Sequence, residues 1–199
     1  MKIEKNPDVS SKENFKWWSH FLKNFIGKPN IFLEIGTYEG KTAVWFLENI
    51  LTHEASRIVC IDPWTAPGND YLRTYDMEKV EKKYKENIEP YKDKVFTVKG
   101  FSFDVLCALN AGVLIKPPPA FSLVYVDGDH RTSHVLSDCV LAWNLLISGG
   151  IMIFDDYGSG DINSTIQEHP KLAIDNFLQT IPGEYEVLFY SYQLMILKK

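Results

Sequence analysis

Short apolar segments alternate with longer segments of helical periodicity along most of the chain. The apolar segments have the length and composition of buried strands, and the segments between them repeat apolar residues every three or four positions, as helices do. Strands that are each followed by a helix indicate a parallel sheet with helices on both faces. The predicted strands are 31–35, 57–62, 95–99, 123–127 and 151–154, and the helices that follow them are 42–51, 74–89, 103–109, 135–147 and 165–181.

The two ends of the chain add further elements to this pattern. Apolar residues spaced three and four apart predict an N-terminal helix over residues 10–26, and Ser10 and Glu13 fit a capping box at its start. Near the other end, residues 185–190 and 193–197 predict an antiparallel hairpin. The predicted fold class is therefore α/β, a doubly wound, mostly parallel sheet of seven strands that includes a C-terminal antiparallel hairpin.

Length and composition agree with one globular unit. With 199 residues, we expect a single domain over 1–199, in which 1–29 form the N-terminal helix and 30–199 form the core. The net charge of −5 disfavours a nucleic-acid partner, because such binding neutralises phosphates with Lys and Arg. No apolar run approaches the roughly 20 residues that cross a bilayer, and the three sparse cysteines are typical of buried thiols in a reducing compartment and not of disulfides or a zinc site. We therefore expect a cytoplasmic protein without a membrane partner.

The carboxyl ends of the predicted strands carry acidic residues. Ligands of parallel α/β sheets bind beyond these ends, near the point where the strand order reverses. Carboxylates at the ends of apolar strands are costly to bury unless they are solvated, paired or bound to a ligand. We therefore expect the functional site at this edge of the sheet, where the chain places Glu34, Asp62, Asp127, Asp155 and Asp156.

The loop after the first strand carries two glycines four positions apart, Gly36 and Gly40. Gly36 permits a sharp turn, and Gly40 lets the next helix begin against the strand. The dinucleotide fingerprint GxGxxG needs a further glycine, so a pyrophosphate would lack its cradle here. Glu34 suits a cationic ligand, and Asp62 can accept hydrogen bonds from both hydroxyls of a ribose. The alternatives are a plain structural turn for the loop and a helix cap or solvated strand end for Asp62.

These residues resemble the first loop of class I methyltransferases, and more closely that of the catechol-type small-molecule O-methyltransferases. That family shows the pattern E-x-G-x-Y-x-G-x-S. The resemblance implies a Rossmann-like fold and S-adenosylmethionine as cofactor. It places the Glu, Tyr and Ser positions of the pattern, the last of which is a Thr in this chain, near the methionine part of the cofactor. In this chain the pattern stands as Glu34, Gly36, Tyr38, Gly40 and Thr42.

The same resemblance covers the ends of the second and third strands. It assigns the ribose hydroxyls to Asp62, and the family pattern G-x-S-x-D near the adenine stands here as Gly100, Ser102 and Asp104. Trp64 covers the adenine, lines the acceptor entrance or packs in the core. The full set of expected cofactor-binding residues is Glu34, Gly36, Thr37, Tyr38, Gly40, Thr42, Asp62, Trp64, Ser102 and Asp127.

Asp127 ends the fourth predicted strand, and Asp155 and Asp156 follow the fifth. In a parallel sheet these ends can be neighbours, and three carboxylates within a few Å repel one another unless a cation neutralises them. A divalent metal that prefers oxygen ligands, such as Mg²⁺, fits this set. Asp129 is a second candidate ligand, but Asp127 directly ends the apolar run and is preferred. The alternative is a row of solvated strand ends with a helix cap at Asp156.

The acidic residues also resemble those of metal-dependent O-methyltransferases, which have an acidic/amide pair after the fifth strand. The Asp155–Asp156 pair and the Asp-x-x-His spacing of Asp127 and His130 resemble the sugar O-methyltransferases of macrolide biosynthesis, in which the His is the general base. The catechol-type enzymes have a Lys at that offset. The resemblance thus implies His130 and Asp127 as catalytic residues and Asp127, Asp155 and Asp156 as metal ligands. It implies a small-molecule acceptor with a hydroxyl group, such as a sugar, a phenol or another natural product.

Other interpretations of the same residues stay open. A methyltransferase-like domain that binds the cofactor without catalysis has the same loop. A metal-dependent hydrolase or phosphotransferase uses the same carboxylates, although it leaves the loop at residues 34–42 unexplained. His134 is either a helix-surface residue or an acceptor contact. Trp17 and Trp18 either pack against the sheet or form the surface of a homodimer.

Overall fold

A central sheet of seven strands organises the fold. The computed structural model describes residues 7–65, 75–158 and 168–199, with side chains from residue 14 onward. The strands are β1 (Ile31–Ile35), β2 (Arg57–Asp62), β3 (Val95–Lys99), β4 (Phe121–Val126), β5 (Leu146–Phe154), β6 (Tyr185–Tyr190) and β7 (Leu194–Lys198). The α-helices of the described residues are α1 (Pro7–Phe21), α2 (Lys41–Asn49), α3 (Met77–Ile88), α4 (Ser102–Asn110), α5 (Thr132–Leu145) and α6 (Pro170–Thr180), and 3₁₀-helices occur at Lys23–Phe25 and Glu89–Lys94.

The strand order is β3-β2-β1-β4-β5-β7-β6. Strands β1 to β5 pair in parallel, whereas β7 pairs antiparallel with both β5 and β6. The order of the parallel strands reverses between β1 and β4, and such a switch point opens a crevice beyond the carboxyl ends of the strands. The prediction of a doubly wound, mostly parallel seven-stranded sheet with a C-terminal antiparallel hairpin is confirmed.

Alternation of side chains along the strands gives each face of the sheet its own apolar cluster. Leu33 packs on the side of α4, α5 and α6, and its neighbour Phe32 packs on the side of α1, α2 and α3. Trp18 of α1 is 1% exposed and stacks on Phe46. Of the two neighbouring tryptophans, Trp18 therefore packs against the sheet, whereas Trp17 is 42% exposed.

The observed elements differ from the predicted ones mainly at their ends. Helix α1 is described from Pro7 onward, so Ser10 lies inside the helix; a capping residue stands outside it, and the predicted capping box was therefore wrong. Strands β4 and β5 begin earlier than predicted because Phe121 pairs with Leu146 and extends both strands. Asp127 follows β4 instead of ending it.

The last helix and the cysteines complete this comparison. The predicted start of α6 at residue 165 lies outside the described residues, and the described helix begins at Pro170. The cysteines Cys60, Cys107 and Cys139 are free thiols, as expected, and Cys60 and Cys139 are buried as predicted, whereas Cys107 is partly exposed. Among the described residues, no helix combines the length and the apolar character that crossing a membrane requires.

At Gly36 the main chain that leaves β1 lies against the main chain that leaves β4. Gly36 has a φ of +83°, and a Cβ at this position would lie 2.0 Å from the carbonyl oxygen of Asp127 and 2.7 Å from Cα of Gly128. The Gly36 amide also donates a hydrogen bond to the carbonyl oxygen of Ile61 at 2.9 Å. Glycine is needed here for two independent reasons, the left-handed backbone and the lack of space.

We therefore expect Gly36→Ala to destabilise the protein by about 3–5 kcal/mol, because strain and overlap with main-chain atoms add together. Gly149→Ala is the matched control, since Gly149 has a φ of +77° but nothing within 4 Å of its Cβ position. It should cost only the backbone strain, about 1–2 kcal/mol. Urea denaturation gives both free energies of unfolding, and equal losses would contradict the close approach at Gly36.

Candidate active site at the carboxyl ends of the strands

Glu34, near the end of β1, is a buried carboxyl group with one unsatisfied oxygen. Its side chain is 1% exposed, and Oε2 accepts hydrogen bonds from the Thr37 hydroxyl at 2.6 Å and from the Cys60 thiol at 3.5 Å. Oε1 has no hydrogen-bond partner among the described residues. Burial raises the pKa of Glu34 to about 8. Buried polar atoms usually have a partner, so Oε1 is an acceptor available to a ligand.

Asp62, the last residue of β2, ties together the two loops that follow β1 and β2. Its Oδ2 accepts the main-chain N–H of Tyr38 at 2.8 Å, and its Oδ1 accepts that of Trp64 at 2.7 Å. Both donors have a left-handed backbone, with φ values of 49° and 43°. Burial raises the pKa of Asp62. Each carboxylate oxygen can accept two hydrogen bonds, so Asp62 retains capacity for ribose hydroxyls, and that role stays a prediction.

The Trp64 ring lies in the core. It is 5% exposed, packs against the Tyr84 ring at 4.8 Å and donates its indole N–H to the Tyr38 carbonyl oxygen at 2.9 Å. The structure thus shows the packing alternative for this residue. Contact of the Trp64 ring with a cofactor stays a prediction. The ring offers little exposed surface for such a contact.

The remaining expected cofactor residues surround the same crevice. Gly40 precedes the first turn of α2, where Thr42 is partly exposed. Ser102 begins α4 after β3, and the Gly100 amide donates to the Asp62 carbonyl oxygen at 3.1 Å. Asp62 therefore links the described residues that directly follow β1 and β3, through its hydrogen bonds with the amides of Tyr38 and Gly100, and Asp104 of α4 is exposed.

Three carboxyl groups and a histidine gather at the adjacent strand ends. Asp127 follows β4, and Asp155 and Asp156 follow β5. Ligand atoms of Asp127, His130 and Asp156 all lie within 4.8 Å of one another. Burial and the charges of Asp155 and Asp156 raise the pKa of Asp127 well above its usual range. Burial, with the charge of Asp156, raises the pKa of Asp155 to about 6.

His130 pairs directly with Asp156. Its Nε2 lies 2.8 Å from Asp156 Oδ2, and this hydrogen bond raises the pKa of His130. The Tyr192 hydroxyl donates to Asp156 Oδ1 at 2.9 Å. The His130 side chain remains 54% exposed. The structure therefore groups His130 with Asp127 and Asp156 as candidate metal ligands, whereas Asp155, which was predicted as a ligand, lies outside this group of the described residues.

Asp129 is engaged elsewhere. The Nε of Arg131 donates to Asp129 Oδ2 at 2.8 Å, and His134 Nδ1 lies 3.0 Å from the same oxygen. Partial burial opposes ionisation of Asp129, but the hydrogen bonds from Arg131 outweigh it and lower its pKa to about 2. This pairing supports Asp127 over Asp129 as the candidate ligand, and it gives His134 a structural partner.

Three residues that contact the acidic cluster were not predicted from the sequence: Tyr125, Tyr192 and Gln193. Tyr125 was hidden inside an apolar strand. The other two belong to the hairpin, whose first residues return to the end of β5 because β7 pairs antiparallel with it and Leu194 faces Phe154. These two residues could not be placed at the cluster from the sequence, because the apolar pattern does not reveal that β7 lies beside β5.

An open cavity of about 360 Å³ lies between α1 and α2 and reaches the acidic cluster. Its apolar walls are aromatic, and Phe15 stacks on Trp45 with ring centroids 4.9 Å apart. This volume is within the usual range of small-molecule sites. The lining residues are Asn14, Phe15, Trp18, Lys41, Thr42, Val44, Trp45, Glu48, Tyr125, Asp127 and Asp155.

Comparison with known families settles the class of protein. A family model described as a methyltransferase domain matches residues 33–157, the segment that contains the loop after β1 and the acidic ends of β4 and β5. The chain belongs to this methyltransferase family. The class I methyltransferase resemblance inferred from the loop is thereby confirmed.

Relatives of this methyltransferase are distant. It is 26% identical over 137 residues to uncharacterized protein R132 of Acanthamoeba polyphaga mimivirus, a match that covers 68% of this chain and 56% of that protein. The chain thus spans little more than half the length of this relative.

Solved methyltransferases share the fold at low identity. The O-methyltransferase from Bacillus cereus in complex with S-adenosylhomocysteine superposes with a TM-score of 0.68 at 18% identity, covering 96% of this chain and 88% of that chain. The MycE methyltransferase of the mycinamycin biosynthetic pathway, in complex with Mg, S-adenosylhomocysteine and mycinamycin VI, superposes with a TM-score of 0.62 at 12% identity. That match covers 98% of this chain and 55% of MycE.

Burial of Glu34 makes the stability of the ligand-free methyltransferase depend on pH. Its pKa is about 8 in the folded state, against an ordinary value of 4.5, so the folded chain retains a proton that the unfolded chain releases. Stability should therefore fall as pH rises from about 5 to 8, by at most about 1.4 kcal/mol per pH unit from this group. Glu34→Gln removes this contribution, so its stability relative to the parent should rise over that interval.

Urea denaturation at about pH 5.5, 7 and 8 gives the free energy of unfolding at each pH and so measures this dependence. Glu54→Gln, at an exposed position on the loop before β2, is the control and should follow the parent at every pH. A constant difference between Glu34→Gln and the parent would contradict the buried, protonated Glu34.

Proposed function

We propose that this methyltransferase transfers the methyl group of S-adenosylmethionine to a hydroxyl group of a small molecule, assisted by a divalent metal and by His130 as general base. One observation carries the proposal. The loop after β1, which belongs to the cofactor in the resemblance stated above, lies beside an acidic cluster with a partly exposed histidine. The contact of Gly36 with Asp127 makes the two regions adjacent.

The crevice suits S-adenosylmethionine better than a dinucleotide. S-adenosylmethionine carries an ammonium and a sulfonium group, and Glu34 Oε1 is a buried acceptor without a partner in the described part of the chain. A donor or cation beside this oxygen would favour its charged form. Asp62 has lone pairs left for ribose hydroxyls, and the loop lacks the second glycine of the GxGxxG pattern, which a pyrophosphate cradle needs.

The acidic cluster suits a hard divalent cation. Asp127, Asp155 and Asp156 would hold it, because carboxylate oxygens are the ligands that Mg²⁺ prefers. Burial, together with the repulsion from Asp155 and Asp156, raises the pKa of Asp127, and a cation would relieve the repulsion. When bound, such an ion lowers the pKa of a coordinated hydroxyl and orients it. The presence of Mg in the MycE complex agrees with this assignment.

His130 has the properties of a general base for the acceptor hydroxyl. It is 54% exposed, so an acceptor can reach it, and Asp156 stabilises the imidazolium that forms when the hydroxyl proton is taken up. The acceptor oxygen then bonds to the methyl carbon as the bond from carbon to sulfur breaks. The protein contributes most by holding the oxygen, carbon and sulfur in line.

The acceptor is proposed to enter the cavity between α1 and α2. This cavity reaches Asp127 and Asp155, where the hydroxyl must arrive, and its walls combine Phe15 and Trp45 with the polar Asn14. Such a lining fits a small ring that carries hydroxyl groups, in a sugar, a phenol or another natural product. The net charge of −5 agrees with an acceptor other than a nucleic acid.

Binding and turnover test the proposal. Isothermal titration should show micromolar binding of S-adenosylmethionine and S-adenosylhomocysteine, and a panel of hydroxylated acceptors should include one that is methylated. EDTA should abolish this methylation, and added Mg²⁺ should restore it. Full activity in EDTA would remove the metal from the mechanism, binding without any turnover would favour the non-catalytic alternative, and absence of binding would contradict the cofactor assignment.

His130→Ala should slow methylation by roughly 10²–10⁴-fold, the usual effect of losing a general base, with unchanged affinity for S-adenosylhomocysteine. His134→Ala is the matched control, because His134 is paired with Asp129 and should leave turnover near the parent value. Turnover in His130→Ala equal to that of the control would exclude His130 as the base.

A further inference from the structure

The Gln193 side chain joins helix α1 to the acidic cluster. Gln193 precedes β7 and is 1% exposed. Its Oε1 accepts the indole N–H of Trp18 at 2.9 Å, and its Nε2 donates to Asp155 Oδ1. The carbonyl oxygen and the NH₂ group of a side-chain amide can exchange places by a half-turn. The amide of Gln193 therefore has a defined orientation only if its neighbours require an acceptor on one side and a donor on the other.

Trp18 makes them distinguishable. An indole N–H is a donor only, so the amide atom that faces Trp18 must be the carbonyl oxygen. The amide nitrogen must then face Asp155, to which it can only donate. Trp18 is buried and packed against Phe46 and Tyr125, so it has little freedom to release the amide.

Asp155 Oδ1 is consequently occupied by two donors. The Tyr125 hydroxyl donates to it at 2.7 Å, in addition to the Gln193 amide. One carboxylate oxygen accepts about two hydrogen bonds, so Oδ1 is filled and Oδ2 is left for a ligand.

We propose that Gln193 is a positioning residue that, oriented by Trp18, occupies Asp155 Oδ1 and leaves only Oδ2 available to the divalent cation. The inference rests on the proposed metal site. It extends that site to a residue outside the matched family segment of 33–157. It also makes cation affinity depend on α1, which supplies Trp18.

Gln193→Leu tests the proposal, because leucine keeps the approximate volume and removes both hydrogen bonds. Mn²⁺ binding, followed by the electron paramagnetic resonance signal of the free ion, should weaken by roughly 10–100-fold, the usual effect of losing a residue that orients a metal ligand. Affinity for S-adenosylhomocysteine in EDTA should stay within about twofold of the parent. A merely structural role would lower the melting temperature without this selective loss.

Two further variants keep the test decisive. Trp18→Phe preserves an aromatic ring but removes the N–H, so the amide can turn and Mn²⁺ affinity should fall in the same direction; this variant decides if Gln193→Leu does not fold. Asn110→Leu removes an amide that donates to the carbonyl oxygens of Leu106 and Leu141, away from the cluster, and should leave Mn²⁺ affinity unchanged. If Gln193→Leu binds Mn²⁺ as tightly as the parent does, the role of Gln193 is contradicted but the proposed metal site is not. The same result in Trp18→Phe has this meaning if Gln193→Leu does not fold. Failure of the parent chain to bind Mn²⁺ would overturn the proposed metal site itself.

Discussion

The contact between the main chains leaving β1 and β4 is the constraint on which the site depends. A side chain of any size at Gly36 would overlap the carbonyl group of Asp127. This contact sets the distance between the loop after β1 and the acidic turn after β4. Two regions with different chemistry therefore share one crevice, as the reversal of strand order at this point of the sheet allows.

Burial of several acidic groups at that crevice has an electrostatic cost, which the fold offsets in different ways. Asp62 is satisfied by two main-chain N–H groups, and Asp129 is satisfied by Arg131. Burial nevertheless raises the pKa of Asp62, as it does those of Glu34 and Asp127. Perturbed carboxyl groups in a cleft are typical of functional sites, because such groups are stabilised when the ligand arrives.

The apolar pattern was sufficient to predict the fold but only part of the site. The bounds of β1, β2 and β3 agree with the prediction because short buried strands stand out between polar loops. Glu34, Asp62, Asp127, Asp155 and Asp156 could be found because residues that end parallel strands share one edge.

Gln193 and Tyr192 could not be found in the same way, because an antiparallel hairpin returns them to that edge from a distant part of the chain. The pairing of His130 with Asp156 is likewise a matter of side-chain geometry that spacing does not contain. The apolar pattern of the sequence thus reveals which residues end the strands. The hydrogen-bond partners of those residues depend on the order of the strands in the sheet, which the pattern does not reveal.

The hydrogen bond between Trp18 and Gln193 joins residues 175 positions apart in the sequence. Contacts of such separation form late, since closing a long loop has an entropic cost that is offset only after other pairings are in place. During synthesis on the ribosome, the parallel strands can pair before the hairpin has emerged, but Asp155 acquires its amide partner only afterwards. The acidic cluster thus gains this partner only when the hairpin is in place, and a nascent chain that has made only the central strands would have the shape of the fold without a complete acidic cluster.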